Sequence, residues 1–190
     1  MSEKSISDRN VIIGSVYRLV QEKRPYLWID SVSKVIKQDE NVHAILIGGG
    51  GMAEQISEYI TQKNLQHKIH LIGQTRYVKS WLDRFDVFLL TSIVEGLPNV
   101  LIEAQAFGVP VITTNAGGAS DTIIDGQTGY IVKGESEFIS QKIIQCISDK
   151  EWLAKAKIDS MHNSRSNFSI DRMISNLIDI YDRAVNNHRR

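Results

Sequence analysis

Six short runs rich in branched apolar residues recur along the chain, near residues 11–17, 43–48, 69–72, 86–91, 109–113 and 129–132, with longer segments of helical period between them. Runs of this kind, apolar throughout rather than alternating, belong to strands buried on both faces, and helical segments between them serve as crossovers. The pattern predicts an α/β fold: a doubly wound parallel sheet of about six strands with helices on both faces. Between the first two runs, Trp28, Ile29, Val32, Val35 and Ile36 form one helical stripe that packs on the sheet, while Asp30, Lys34 and Lys37 face water. The same logic predicts helices near 53–64, 77–84, 98–107 and 118–124, then one over 138–147, one around 151–161 and a last one near 170–186. That last segment carries the clearest stripe of all: Ile170, Met173, Ile174, Leu177, Ile178, Tyr181, Ala184 and Val185. It is expected to fold in part onto its own domain, with pairing to a second copy covering the remainder.

A chain of 190 residues suits one domain with a substantial core. Residues 1–10 are polar and read as a leader or linker remnant, leaving 11–190 as the domain. Acidic and basic residues balance at 22 each, so no global field draws the chain onto nucleic acid. Cys146 is the only cysteine, which excludes an internal disulfide and marks it as a small core residue. No apolar run approaches the roughly 20 residues of a membrane span. Met1-Ser2-Glu3-Lys4 opens no secretory signal, and the expected location is the cytoplasm.

Ligands of open α/β sheets bind beyond the carboxyl ends of the strands, so the residues after each run carry the functional information. After the first, Gly14 leads into a turn bearing Arg18 and Lys23, two cations five residues apart. They are either a pair converging on a diphosphate or two solvated surface charges. After the second, Gly48-Gly49-Gly50-Gly51 is either a flexible turn or a surface approached closely by a ligand. After the third, Thr75, Arg76 and Tyr77 form a polar loop suited to a nucleobase, or an ordinary strand-to-helix connection. The fourth place is the most specific. Glu95, Gly96, Leu97, Pro98, Asn99 and Val100 lead into a helix that carries Glu103. Pro98 suits the first helical turn, and the N–H groups of Asn99, Val100 and Leu101 would make an anion site at the positive end of the helix dipole. Two carboxylates, Glu95 and Glu103, then flank that site, one for sugar and one for ribose hydroxyls; the alternative is Glu95 in a loop salt bridge and Glu103 on a solvated helix face.

Glu95-x7-Glu103 with Gly96-x-Pro98, Glu103-Ala104 and Gly108-x-Pro110-Val111 resembles the C-terminal signature of retaining GT-B-fold glycosyltransferases of the group 1 family. Gly117-Gly118-Ala119-Ser120-Asp121 and Asp125-Gly126-x-x-Gly129 fit the same pattern, as do Arg18 and Lys23 at the family's pyrophosphate-binding positions. The resemblance spans about residues 11–185. It implies a Rossmann-like donor-binding domain and a nucleotide-diphosphate sugar, of UDP or GDP type, as donor substrate. It further implies retention at the anomeric carbon and no metal or other cofactor.

By the same resemblance Glu103 meets the ribose, and Glu95 with the Gly96 to Val100 backbone meets the sugar and phosphates. Thr75 to Tyr77 lie by the base, and Arg18 and Lys23 stabilise the departing diphosphate. The chain departs from the family at Asp121, where Glu is commoner; at Ser15, which interrupts the usual Gly-Arg pair; and at Arg24-Pro25, in place of a Gly after the Lys. Family enzymes are about twice this length, so an N-terminal acceptor domain is expected in cis or trans. The intact enzyme is expected to be cytoplasmic or peripheral at the inner face of the membrane. The rival readings are a non-catalytic nucleotide-binding module and one subunit of a two-chain transferase. A sugar-phosphate or nucleotide epimerase is disfavoured by Glu95-x7-Glu103.

Overall fold

The computed structural model describes residues 10–187; the leader expected over 1–10 lies almost wholly outside them. All six strands form within a residue or two of their expected places. They are β1 (Val11–Val16), β2 (Val42–Ile47), β3 (Ile69–Gly73), β4 (Val87–Leu90), β5 (Val111–Thr114) and β6 (Gly129–Val132). They make one parallel sheet in the order β3-β2-β1-β4-β5-β6. The chain builds outward from β1 to β3, returns to β4 beside β1, and then builds outward the other way. The junction of β1 and β4 is therefore the switch point at which such sheets open a crevice.

The helices are α1 (Pro25–Gln38), α2 (Ala53–Gln62), α3 (Val78–Leu82), α4 (Asn99–Ala106), α5 (Ser136–Ser148), α6 (Lys150–Phe168) and α7 (Ile170–Asn187). In α1 the expected stripe of Trp28, Ile29, Val32, Val35 and Ile36 is buried. Pro25 occupies the first turn, where its missing N–H is harmless, and the helix gives way to extended backbone at Asp39. Alternation in β1 sends Ser15 and Gly14 to opposite faces. Ser15 is fully buried, accepts from Trp28 Nε1 at 2.5 Å and donates to the Leu89 carbonyl, stitching α1 to β4. At Gly14 a Cβ would fall 2.0 Å from the Phe85 ring, so the glycine makes room for that side chain. Cys146 is a core residue as expected, and burial pushes its thiol up to about 12.

Three segments differ from expectation. The stretch 118–124 is a 3-10 turn over Gly117–Thr122 rather than an α-helix. Helix α6 runs well past residue 161, because its final turns are held by polar rather than apolar contacts. Asn163 Nδ2 donates to Gln105 Oε1 at 2.6 Å and to the Thr122 carbonyl at 3.0 Å, and Ser164 Oγ donates to the Ile102 carbonyl at 3.2 Å. Third, α7 does not fold back onto the domain: every described side chain from Ile170 to Val185 is exposed. Its apolar stripe, with Ile170 at 71%, Met173 at 62% and Tyr181 at 63% exposure, faces away from the core.

Candidate functional site

The carboxyl rim of the sheet is made of four loops, and close backbone packing sets their positions. After β1, the Tyr17 N–H donates to the Ile47 carbonyl and the Leu19 N–H to the Gly49 carbonyl, so the first loop rests on the glycine run after β2. A Cβ at Gly48 would lie 1.9 Å from the Tyr17 carbonyl oxygen, and one at Gly50 would lie 2.5 Å from that of Leu19. Both glycines have positive φ, 139° and 155°. The glycine run is thus a packing surface for the loop that carries Arg18 rather than a slack turn.

Arg18 is exposed between the buried Tyr17 and Leu19, and its side chain has no hydrogen bond or ion pair among the described residues. Lys23 reaches the loop after β4, where its ammonium donates to Glu95 Oε1. The Ser92 hydroxyl donates to the same carboxylate at 2.5 Å. The Glu95 backbone is fixed as well: its N–H donates to the Ala116 carbonyl at 3.2 Å, and its carbonyl accepts from Gly118 at 3.2 Å. Gly117 and Gly118 permit that approach, since a Cβ at Gly118 would sit 1.7 Å from the Gly96 oxygen. The glycine pair in the 3-10 turn therefore supports the Glu95 loop from behind.

Gly96, Leu97 and Asn99 are exposed, Val100 is half-buried and Pro98 is buried. Pro98 is the cap rather than the first helical residue of α4, and its carbonyl accepts from Leu101 N–H at 3.0 Å. Leu101 is therefore not an open donor. The N–H groups of Asn99 and Val100 have no acceptor among the described residues and remain available at the positive end of the helix. The remaining predicted residues gather around two adjoining clefts. One of about 470 Å³ lies past β1, β2 and β3 and is lined by Val16, Gly48, Gln74, Thr75 and Arg76 among others. The other, of about 540 Å³, lies between α3 and α4 and brings Glu103 to Arg76, Tyr77 and Lys79. Arg76 and Val78 border both. Thr75 Oγ1 accepts from the Tyr77 N–H at 3.1 Å, which shapes the turn and leaves both following side chains outward.

The structure thus brings Lys23 to Glu95 and Glu103 to the Arg76–Tyr77 loop. It does not bring Gly14 to the rim, because that residue lies inside β1 against Phe85. Sequence reasoning missed Arg24, Thr91 and Ser92. Arg24 turns its guanidinium onto the Thr91 and Ser92 carbonyls, and Thr91 Oγ1 returns a bond to the Lys23 carbonyl at 2.8 Å. The available signals were the adjacency of Arg24 to Lys23, its departure from the glycine of the resembled family, and the adjacency of Ser92 to the Glu95 motif. Among the described residues no group of three or more His, Cys, Asp or Glu side chains is placed to hold a metal ion. No described helix is long and apolar enough to cross a membrane.

The strand order, its reversal between β1 and β4 and the Glu95-x7-Glu103 segment that follows β4 define a Rossmann-like α/β unit of the GT-B transferase type. The chain belongs to the family described as glycosyl transferases group 1, which matches residues 1–161. It is 39% identical over 125 residues to the Vi polysaccharide biosynthesis protein VipC/TviE of Salmonella typhi, covering 66% of this chain and 22% of that protein. It is 37% identical over 146 residues to the capsular polysaccharide biosynthesis glycosyltransferase CapM of Staphylococcus aureus, covering 74% of this chain and 38% of the relative. Its fold matches a TarM variant of S. aureus, solved with fondaparinux, α-GlcNAc-glycerol and UDP. That match has a TM-score of 0.85 at 26% identity, over 91% of this chain and 36% of that one. The chain therefore spans well under half the length of these proteins.

Proposed function

We propose that this chain is the donor-binding domain of a retaining, metal-independent group 1 glycosyltransferase that transfers a hexosyl group from a UDP- or GDP-sugar to a glycan or lipid-linked acceptor. The observation that carries the proposal is the arrangement around α4. Glu95 precedes and Glu103 follows the open Asn99 and Val100 donors along the chain, Lys23 and Ser92 hold Glu95, and Glu103 shares a cleft with the Arg76–Tyr77 loop. In this arrangement the base lies by Thr75 to Tyr77, the ribose hydroxyls donate to Glu103, and the diphosphate meets Arg18, Lys23 and the start of α4. Lys23 exchanges its bond to Glu95 for the phosphates, which frees that carboxylate to accept from sugar hydroxyls. As the glycosidic bond to the diphosphate breaks, negative charge grows on the leaving oxygen, and donors already aimed there lower the barrier.

The acceptor enters from a second domain, in cis or trans, on the same face as the leaving group. The relatives' roles in Vi and capsular polysaccharide biosynthesis and the UDP in the TarM structure support this assignment. Surface polysaccharide synthesis at the cytoplasmic side of the membrane is the setting that follows.

Calorimetric titration of the purified chain with UDP, GDP, their sugar conjugates and pyrophosphate tests the proposal. Glu103→Gln should weaken nucleoside diphosphate binding by about 1.5–3 kcal/mol, the scale of a charged hydrogen bond, and leave pyrophosphate binding unchanged. Equal losses for both ligands would remove Glu103 from the ribose site, and the absence of nucleotide binding by the parent chain would overturn the assignment.

A further inference from the structure

Arg24 stands where the resembled family more often has glycine, and its backbone keeps the left-handed geometry that glycine adopts freely, with φ 49° and ψ 57°. A residue with a Cβ is disfavoured there, so the side chain must return stabilisation through its contacts. The guanidinium crosses the switch point between β1 and β4. Its Nε donates to the Thr91 carbonyl at 2.6 Å and its Nη2 to the Ser92 carbonyl at 3.1 Å. Behind it, a Cβ on Gly134 would lie 2.7 Å from Nη1, so the guanidinium packs directly against that glycine. Among the described residues no carboxylate forms an ion pair with Arg24, and its guanidinium donates to two backbone carbonyls.

Ser92 is the residue through which this grip is transmitted. Its carbonyl accepts from Arg24 and also from Thr114 Oγ1 at 2.7 Å, while its hydroxyl donates to Glu95 at 2.5 Å. Neighbouring residues of one turn thus hold two parts of one loop: Lys23 takes the Glu95 carboxylate, and Arg24 takes the backbone that aims it. We propose that Arg24 is a positioning residue, whose planar fork fixes the Thr91 and Ser92 carbonyls so that Ser92 and Lys23 hold the Glu95 carboxylate where the donor sugar binds. A lysine would supply the charge without the fork. The clamp stands on geometry alone, and its effect on ligand binding rests on the donor-site assignment above.

Arg24→Gly is an informative variant because it deletes the clamp while suiting the backbone, and Arg24→Lys keeps the charge. Amide-resolved hydrogen exchange on the ligand-free chain should show the Ile93 and Glu95 amides opening about tenfold or more faster in both variants, the scale set by one bond to a charged donor. The thermal midpoint of Arg24→Gly should be unchanged or raised. Unchanged exchange in the glycine variant, wild-type exchange in the lysine variant, or faster exchange across the whole sheet with a lowered midpoint would each overturn the clamp. The UDP-sugar that the parent binds most tightly should bind the glycine variant about tenfold more weakly, with UDP affected less, and equal UDP-sugar binding would sever the clamp from the site. If the parent binds neither UDP nor a UDP-sugar, the donor-site assignment fails while the exchange result still decides the clamp.

Discussion

Gly118→Ala should damage the candidate site from behind, through the Gly96 backbone, without altering any side chain expected to meet a ligand. Gly118 has no unusual backbone angle to forbid alanine, so the effect is steric alone. The new Cβ would lie 1.7 Å from the Gly96 oxygen and 2.8 Å from its carbon, both backbone atoms that cannot rotate aside. Restoring even a 3.0 Å contact requires the two segments to separate by about 1.3 Å. That shift stretches the 3.2 Å bonds from Glu95 N–H to Ala116 and from Gly118 N–H to Glu95. Overpacking of this kind costs about 1–3 kcal/mol, or a fall in thermal midpoint of about 2–4 °C per kcal/mol at this chain length. A displacement near 1 Å is also enough to spoil a positioned group, so UDP-sugar affinity should fall about tenfold or more while UDP affinity falls less. Urea denaturation and calorimetric titration measure the two effects, with Gly51→Ala as control because a Cβ there meets nothing within 4 Å. If Gly118→Ala matches Gly51→Ala in both assays, the glycine pair does not set the Glu95 loop.

Acid should weaken the fold through His43, which burial and the nearby charges of Lys68, His70 and His67 hold at about 4 against an ordinary value of 6.5. Its depressed folded value means that stability is complete above pH 6.5 and declines as pH falls toward 4, by at most about 3 kcal/mol. His43 Nδ1 lies 3.2 Å from His70 Nε2 and its Nε2 lies 3.5 Å from the Lys68 ammonium, so His43→Leu should flatten the urea-derived stability profile between pH 7.5 and 4.5, and an unchanged slope would clear His43. The exposed stripe of α7 should make the purified 190-residue chain self-associate with concentration in light scattering, and a chain ending at Asn167 should stay monomeric with equal stability; a full chain that remains monomeric would refute this.

How much of this was legible in the sequence depended on whether the deciding interaction is local. The strands were legible because a doubly covered strand is mostly apolar rather than alternating, and α1 because its stripe repeats at helical spacing. The last turns of α6 were not, since Asn163 and Ser164 look solvent-facing until Gln105, Thr122 and Ile102 supply their partners. Gly14 was misplaced at the rim because glycine at a strand end serves equally for ligand approach and for a bulky neighbour, and Phe85 lies 71 positions away in sequence. At the site, residue types were readable and pairings were not. Lys23 and Glu95 are separated by 72 positions and Arg24 and Thr91 by 67, so only the sheet order that sets β1 beside β4 brings them together. The clamp at Arg24 shows the limit most clearly. Measured against a family pattern, an arginine in place of glycine is a departure; measured against the fold, it lies opposite two carbonyls whose loop carries the first carboxylate of the motif. A substitution that leaves the backbone geometry of glycine intact while adding a fork of donors changes what holds the loop, and neither change is visible until both ends of the bond are placed.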